Sequence, residues 1–152
     1  MLLVAAITLT RLPRIDGLLP VPAKPGIVST SGPALSGADY TQAMVGDAGF
    51  AGADLRGARL EHLDLRGQDF KRANASGAIF AGSLLNGANL SHADLRGADL
   101  RDTCLRGATL IGAKLAGADF TGADVTGATV KAGATTSAIG WGSIPASACR
   151  RT

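Results

Sequence analysis

In residues 91–120, SHADLRGADLRDTCLRGATLIGAKLAGADF, an apolar residue falls at Leu95, Leu100, Leu105, Leu110, Leu115 and Phe120, one every five positions. An amphipathic helix repeats every 3.6 residues and a strand every two, so a strict period of five satisfies neither. The same phase runs through nineteen consecutive frames of five, from residues 38–42 to 128–132, and all nineteen centres, Tyr40 to Val130, are apolar. In a chain that is 46% apolar, chance produces such a run less than about once in a million, so the period is a folding signal. All four Phe residues and the only Tyr occupy centres. Fifteen of the nineteen positions two residues before a centre are Ala, and twelve of those two residues after it are Gly.

In a short extended stretch, residues two apart share a face. Ala93 and Leu95 therefore point one way, and Asp94 and Arg96 the other. Because five is odd, a straight strand would send Leu100 to the opposite face from Leu95. The chain must instead bend at each Gly and restart, so that every centre faces inward. A helix fails the same test, since five steps of about 100° walk the leucines around its surface. Repeated bending in one sense winds a coil whose turns stack at the roughly 4.8 Å spacing of neighbouring strands, a β-solenoid.

The frames ADLRG at 53–57 and 93–97, ADLRD at 98–102 and ADFTG at 118–122 resemble the pentapeptide repeat family. The resemblance implies a right-handed, four-sided β-helix over residues 38–132, with one pentapeptide per side and twenty residues per coil. Nineteen frames at four per coil give 4.75 coils, a rod roughly 23 Å long on the strand spacing above. Tyr40, Leu60, Phe80, Leu100 and Phe120 then stack inside one side, and Phe50, Phe70, Leu90, Leu110 and Val130 inside the opposite one. The pattern is poorest at 61–77, where Leu63 and Gln68 replace the small residue and Ala75 is an undersized centre. A bulge, cavity or looser turn is expected there.

Function has to reside on the outward positions. Asp54, Asn74 and Asp94 form one ladder beside Arg56, Ser76 and Arg96, while Arg66, Asn86 and Arg106 stack on the next side near Asp64 and Asp124. These charges read either as a solvated, mutually compensating surface or as a binding strip. Met44, Ile79, Leu84, Cys104 and Ile111 are apolar at outward positions, with Ile79 and Leu84 on adjacent sides of one coil. That pair reads as a contact with the N-terminal segment, with a second copy of the chain as a homodimer or with another protein, or as a scattered surface feature with no role.

The net charge of +3 comes from the ends, because residues 38–132 carry ten basic and eleven acidic groups. Some members of the family mimic duplex DNA and protect type II topoisomerases such as gyrase from quinolones. That mechanism needs a strongly acidic rod, and this one carries −1 with Arg interleaved among its carboxylates. No side is uniformly basic or carries outward aromatics, so no nucleic-acid partner is expected. His62 and His92 stand thirty residues apart, one and a half coils, on opposite sides, and make no catalytic pair. No metal-ligand spacing or phosphate-binding loop appears, so neither metal, cofactor nor enzymatic activity is expected. Cys104 and Cys149, one outward repeat residue and one tail residue, indicate no structural disulfide. A reducing, cytoplasmic setting is the simpler expectation.

The ends depart from the repeat. Residues 133–152 read as a cap and loose tail, with Ile139, Trp141 and Ile144 as plugs for the lumen. Residues 1–37 are apolar and then Pro-rich, with Pro13, Pro20, Pro22 and Pro25 preventing a long helix. They read as a cap over the solenoid mouth or as a targeting segment, with membrane association confined to residues 1–20 and a fragment of a longer chain as a further alternative. The leading expectation for function is a non-enzymatic scaffold that binds an unidentified protein through its outer faces.

Overall fold

The computed structural model describes residues 37–40, 50–132, 134–135, 137–142 and 149. Within them the chain is a parallel β-solenoid, in which single-residue bridges join each outward residue to the one twenty positions later. Four columns of bridges run along it. The first joins Asp54, Asn74, Asp94 and Lys114; the second joins Asp39, Arg59, Ile79, Asp99, Asp119 and Ile139. The third joins Asp64, Leu84, Cys104 and Asp124, and the fourth joins Asp69, Asn89, Thr109 and Thr129.

The hydrogen bonds show how a five-residue frame closes. The Asn74 N–H donates to the Ala53 carbonyl at 2.8 Å and the Asn74 carbonyl accepts from Leu55 N–H at 2.7 Å, so each bridged residue bonds forward and back to one neighbour turn. At the corner, Ala58 N–H donates to the carbonyl of the centre Leu55 at 3.0 Å, closing a four-residue β-turn. Its third residue, Gly57, has φ +62°, a conformation that costs Gly nothing and most residues about 1–2 kcal/mol. The corner therefore requires a positive φ two residues past the centre, and Gly meets that requirement without strain. His62, Arg72, His92 and Asp102 adopt the same conformation at φ 55–60°.

Leu95 and Leu100, five apart, are both completely buried, as are Leu55, Leu60, Leu65, Leu85, Leu90, Leu105, Leu110, Phe80 and Phe120. The Ala residues of the frames fill the second inward position. Burying each Leu or Phe contributes about 1.5–3 kcal/mol before ordering entropy is subtracted. Phe50 and Phe70, one turn apart, stack with centroids 4.8 Å apart and planes 6° from parallel.

The bridge ladder runs unbroken through 61–77: Leu84 N–H donates to Leu63 O at 2.9 Å and Asn89 N–H to Gln68 O at 3.0 Å. The expected looser turn is found at the first corner of this stretch. There the Leu63 N–H donates to the hydroxyl of Ser83, twenty residues later, at 2.9 Å, and that hydroxyl donates to the Leu60 carbonyl, so a side chain is inserted where other corners close directly. Ala75 is itself buried, between the centres Phe70 and Phe80, whose rings meet edge to face at 5.8 Å.

Downstream, the twenty-residue register continues past the last regular frame, with Ile139 bridged to Asp119 and its carbonyl accepting from Phe120 N–H at 2.7 Å. Trp141, half-buried, packs edge-on against Phe120 with centroids 4.8 Å apart. Ile139 does not plug the lumen. It is 54% exposed, because twenty residues beyond the outward Asp119 it must also point outward. Ile144 and Met44, with residues 1–36, lie outside the described residues. Among the described residues, no helix is long and apolar enough to cross a membrane.

Candidate functional site

An outward residue and the one two positions later share a face of an extended stretch, and here this places Asp beside Arg. Arg56 holds Asp54 through Nε to Oδ1 at 2.8 Å and a second guanidinium nitrogen to Oδ2 at 2.7 Å. The same fork joins Arg66 to Asp64 at 2.8 and 2.5 Å, Arg96 to Asp94 at 2.8 Å twice, and Arg101 to Asp99 at 2.8 and 2.6 Å. Each Asp Oδ1 also accepts the backbone N–H of its Arg. Planar guanidinium and carboxylate match in two parallel bonds, so the fork is both charge-assisted and orientationally fixed.

The forks control the titration of the surface. Hydrogen bonds from Arg56, Arg66 and Arg101 hold Asp54, Asp64 and Asp99 below the usual carboxylate range. Asp94 goes lowest, to about 2: the Arg96 fork outweighs burial, and Lys114 of the next turn adds a bond at 3.2 Å. Where a frame has no Arg, a hydroxyl takes its place, as in Thr121 to Asp119 at 2.6 Å and Ser76 to Asn74 at 3.1 Å.

The third column departs from this pattern. Residue 104 is Cys where a fork would need Asp, so Arg106 reaches one turn onward and its Nε donates to Asp124 Oδ2 at 2.5 Å. Asp124 is 2% exposed. Burial pushes its carboxyl up, but the hydroxyl and N–H of Thr126, with Arg106, outweigh that and leave it below the usual range.

The candidate interaction residues are accordingly brought together in pairs rather than as one strip. Asp54 and Asp94 share the first column, each with its own Arg56 or Arg96. Arg66 and Arg106 lie along the third, joined to Asp64 and Asp124. Ile79 and Leu84 are half-buried in the second and third columns of one turn. The large apolar side chains most exposed among the described residues are instead Ile111, at 48%, and Ile139.

One expectation is overturned. Cys104 and Cys149 form a disulfide, with Cα atoms 5.3 Å apart. Cys104 occupies an outward register position yet is 1% exposed, with Cys149 bonded to it at the third column. With Asp124 the two sulfurs form a cluster whose ligand atoms all lie within 4.8 Å of one another. The arithmetic of twenty places Cys104 beside Asp124 and was available in the sequence. The return of Cys149 was not, because the tail has no period to count. His62 and His92 are exposed at corners thirty residues apart, each imidazole lying over a glycine of the next turn, Gly82 or Gly112.

With this geometry in place, comparison with known proteins decides the family. The sequence profile of pentapeptide repeats matches in eight copies, over residues 35–70, 48–87, 68–102, 76–110 and 93–131. The chain belongs to the pentapeptide repeat family. No curated protein matches the sequence. Among solved structures, this pentapeptide repeat protein is similar to Rfr23 from the cyanobacterium Cyanothece 51142, at 32% identity over 51% of this chain and 56% of that one, with a TM-score of 0.32. HetL of Nostoc sp. strain PCC 7120, a protein involved in regulating heterocyst differentiation, matches at 26% identity over 69% and 62%, with a TM-score of 0.27. QnrB1, a plasmid-mediated fluoroquinolone resistance protein, matches at 26% over 62% and 59%, with a TM-score of 0.28. In each case the pentapeptide repeat protein described here spans less than two-thirds of the relative's length.

Proposed function

We propose that this chain is a non-enzymatic scaffold: a right-handed, four-sided β-helical rod of about 4.75 coils, counted as nineteen frames at four per coil, whose outer faces dock another protein. The observation that carries the reading is the pairing of its surface charge in place. Asp54, Asp64, Asp94 and Asp99 are each locked to an Arg two residues on, while Leu, Phe and Ala fill the interior. Chemistry is then offered only outward, as rigid columns of oriented forks around Ile79 and Leu84. Flat, repeated surfaces of this kind suit docking.

The same pairing disfavours mimicry of DNA. A carboxylate that stands in for a phosphate must present unneutralised charge to a basic partner, and these carboxylates already face guanidinium groups. In a gyrase supercoiling assay with quinolone present, the chain gives no protection at any concentration. Protection would replace the scaffold reading with mimicry.

The docking reading is tested by capture from native lysate with three variant rods beside the parent: Asp54→Arg with Asp94→Arg, Arg66→Asp with Arg106→Asp, and Ile79→Asp with Leu84→Asp. A partner retained by the parent and by some variants, and lost from one, supports docking on that face. Identical capture by all four, or no capture, removes the support.

A further inference from the structure

The third column holds a group of side chains that neither the solenoid nor the proposed docking uses: Cys104, Asp124 and Cys149. We propose that, when its disulfide is reduced, this group is a binding site for one Zn2+ ion, with two thiolates and the Asp124 carboxylate as protein ligands and water in the fourth position. The disulfide and the metal site are alternative states of the same clasp, each tethering the C-terminal tail to the rod.

Distances admit it. With Zn–S near 2.3 Å and Zn–O near 2.1 Å, tetrahedral angles set the ligand atoms roughly 3.6–3.8 Å apart. The three donor atoms already lie within 4.8 Å of one another. Cys104 and Asp124 are fixed by the bridge ladder, one turn apart in a single column. Cys149 is half-buried and takes part in none of the bridges of the solenoid, so the sulfurs can separate without breaking a bridge.

Charge and hydrogen bonding admit it as well. Two thiolates and a carboxylate carry −3, Zn2+ brings +2, and Arg106, bonded to Asp124 Oδ2, brings +1, so the cluster is neutral overall. A carboxylate oxygen can accept from Arg106 and still offer a lone pair. Thr126 holds the other oxygen through its hydroxyl and N–H, at 2.6 and 3.0 Å, the outer support that orients a ligating carboxylate. Soft thiolate donors select Zn2+ over Mg2+ or Ca2+.

The chemistry balances with a thiol or phosphine reductant. Reduction delivers two electrons and two protons to the disulfide, giving two thiols, and Zn2+ then displaces those two protons to solvent. The oxidised clasp has no thiolate to offer, so redox state gates metal binding.

The test uses the full chain, reduced with a phosphine under nitrogen, freed of reductant and titrated with Zn2+ against a chromophoric chelator. One Zn2+ is taken up per reduced chain and none per oxidised chain, and Zn2+ raises Tm only in the reduced form. Cd2+ in its place gives thiolate-to-metal absorption. Cys149→Ser, which alters only the tail, and Asp124→Asn each weaken uptake by about tenfold or more, the scale of loss when even an outer partner is removed. A His62→Ala, His92→Ala double variant binds as the parent does. Absence of stoichiometric uptake by the reduced chain, unchanged affinity in Cys149→Ser, or loss of binding in the histidine variant overturns the proposal.

Discussion

The imidazole of His62 lies over Gly82 of the next turn, so close that a β-carbon added at Gly82 would stand 2.5 Å from its Nδ1. His92 and Gly112 repeat the relationship at 2.6 Å. With the imidazole held there, the position twenty residues later has room only for a glycine, quite apart from the positive φ of that glycine. At Gly87, with φ +65°, an added β-carbon meets nothing within 4 Å. Gly87→Ala therefore reports the backbone cost alone, about 1–2 kcal/mol, and Gly82→Ala exceeds it by roughly 0.5–1 kcal/mol from the displaced ring. In a His62→Ala background the excess disappears. Urea unfolding of the parent, Gly87→Ala, Gly82→Ala, His62→Ala and the His62→Ala, Gly82→Ala double variant checks it.

Arg72 holds φ +60° at a corner position where most frames have Gly. Relief of about 1–2 kcal/mol of backbone strain is partly offset by the freedom Gly adds to the unfolded chain. Arg72→Gly raises stability by roughly 0.5 kcal/mol. Asp102→Gly gains less, since Asp tolerates the left-handed region better. Thermal melts of both variants give the order.

Asp94 sets an acid limit on stability. Its carboxyl is lowered from 3.8 to about 2 in the folded chain, chiefly by the Arg96 fork. The folded state binds this proton less readily than the unfolded state, so the stabilisation is complete above pH 4 and is lost as pH falls from about 4 towards 2. The shift is worth up to about 2 kcal/mol at neutral pH. Asp94→Asn removes that part of the acid dependence, so the two chains converge near pH 2. Convergence is read from urea midpoints across pH 2–6.

Tail attachment carries its own stability. Closing a loop of sequence separation 45 contributes about 4 kcal/mol in the chain-entropy account. Reduction in the presence of a chelator lowers the urea midpoint of the parent, while Cys149→Ser shows the lower midpoint in either redox state. Equal midpoints for oxidised parent and Cys149→Ser would contradict the clasp.

The period made the solenoid legible because it acts twice. It places Leu95 and Leu100 inside, and it demands the corner that the twelve glycines supply. The outward columns followed from the same arithmetic, down to Asp54, Asn74 and Asp94 in one line. What the arithmetic missed involves volume and chain return. Ala75 looked like a defect in its own frame, yet it is buried between Phe70 and Phe80, whose rings meet edge to face. Cys104 looked solvent-facing until the aperiodic tail brought Cys149 onto it.

The claim on which the rest depends is that residues twenty apart are neighbours along the rod. Nitroxide labels at Lys71 and Ile111, both exposed and forty residues apart in sequence, test it in a background without the native cysteines. Two turns at about 4.8 Å place these positions about 10 Å apart, so continuous-wave spectra show strong dipolar broadening that disappears in urea. A helical or extended path would separate them by about 60 Å or more, and spectra with no dipolar broadening in the folded chain would contradict the account.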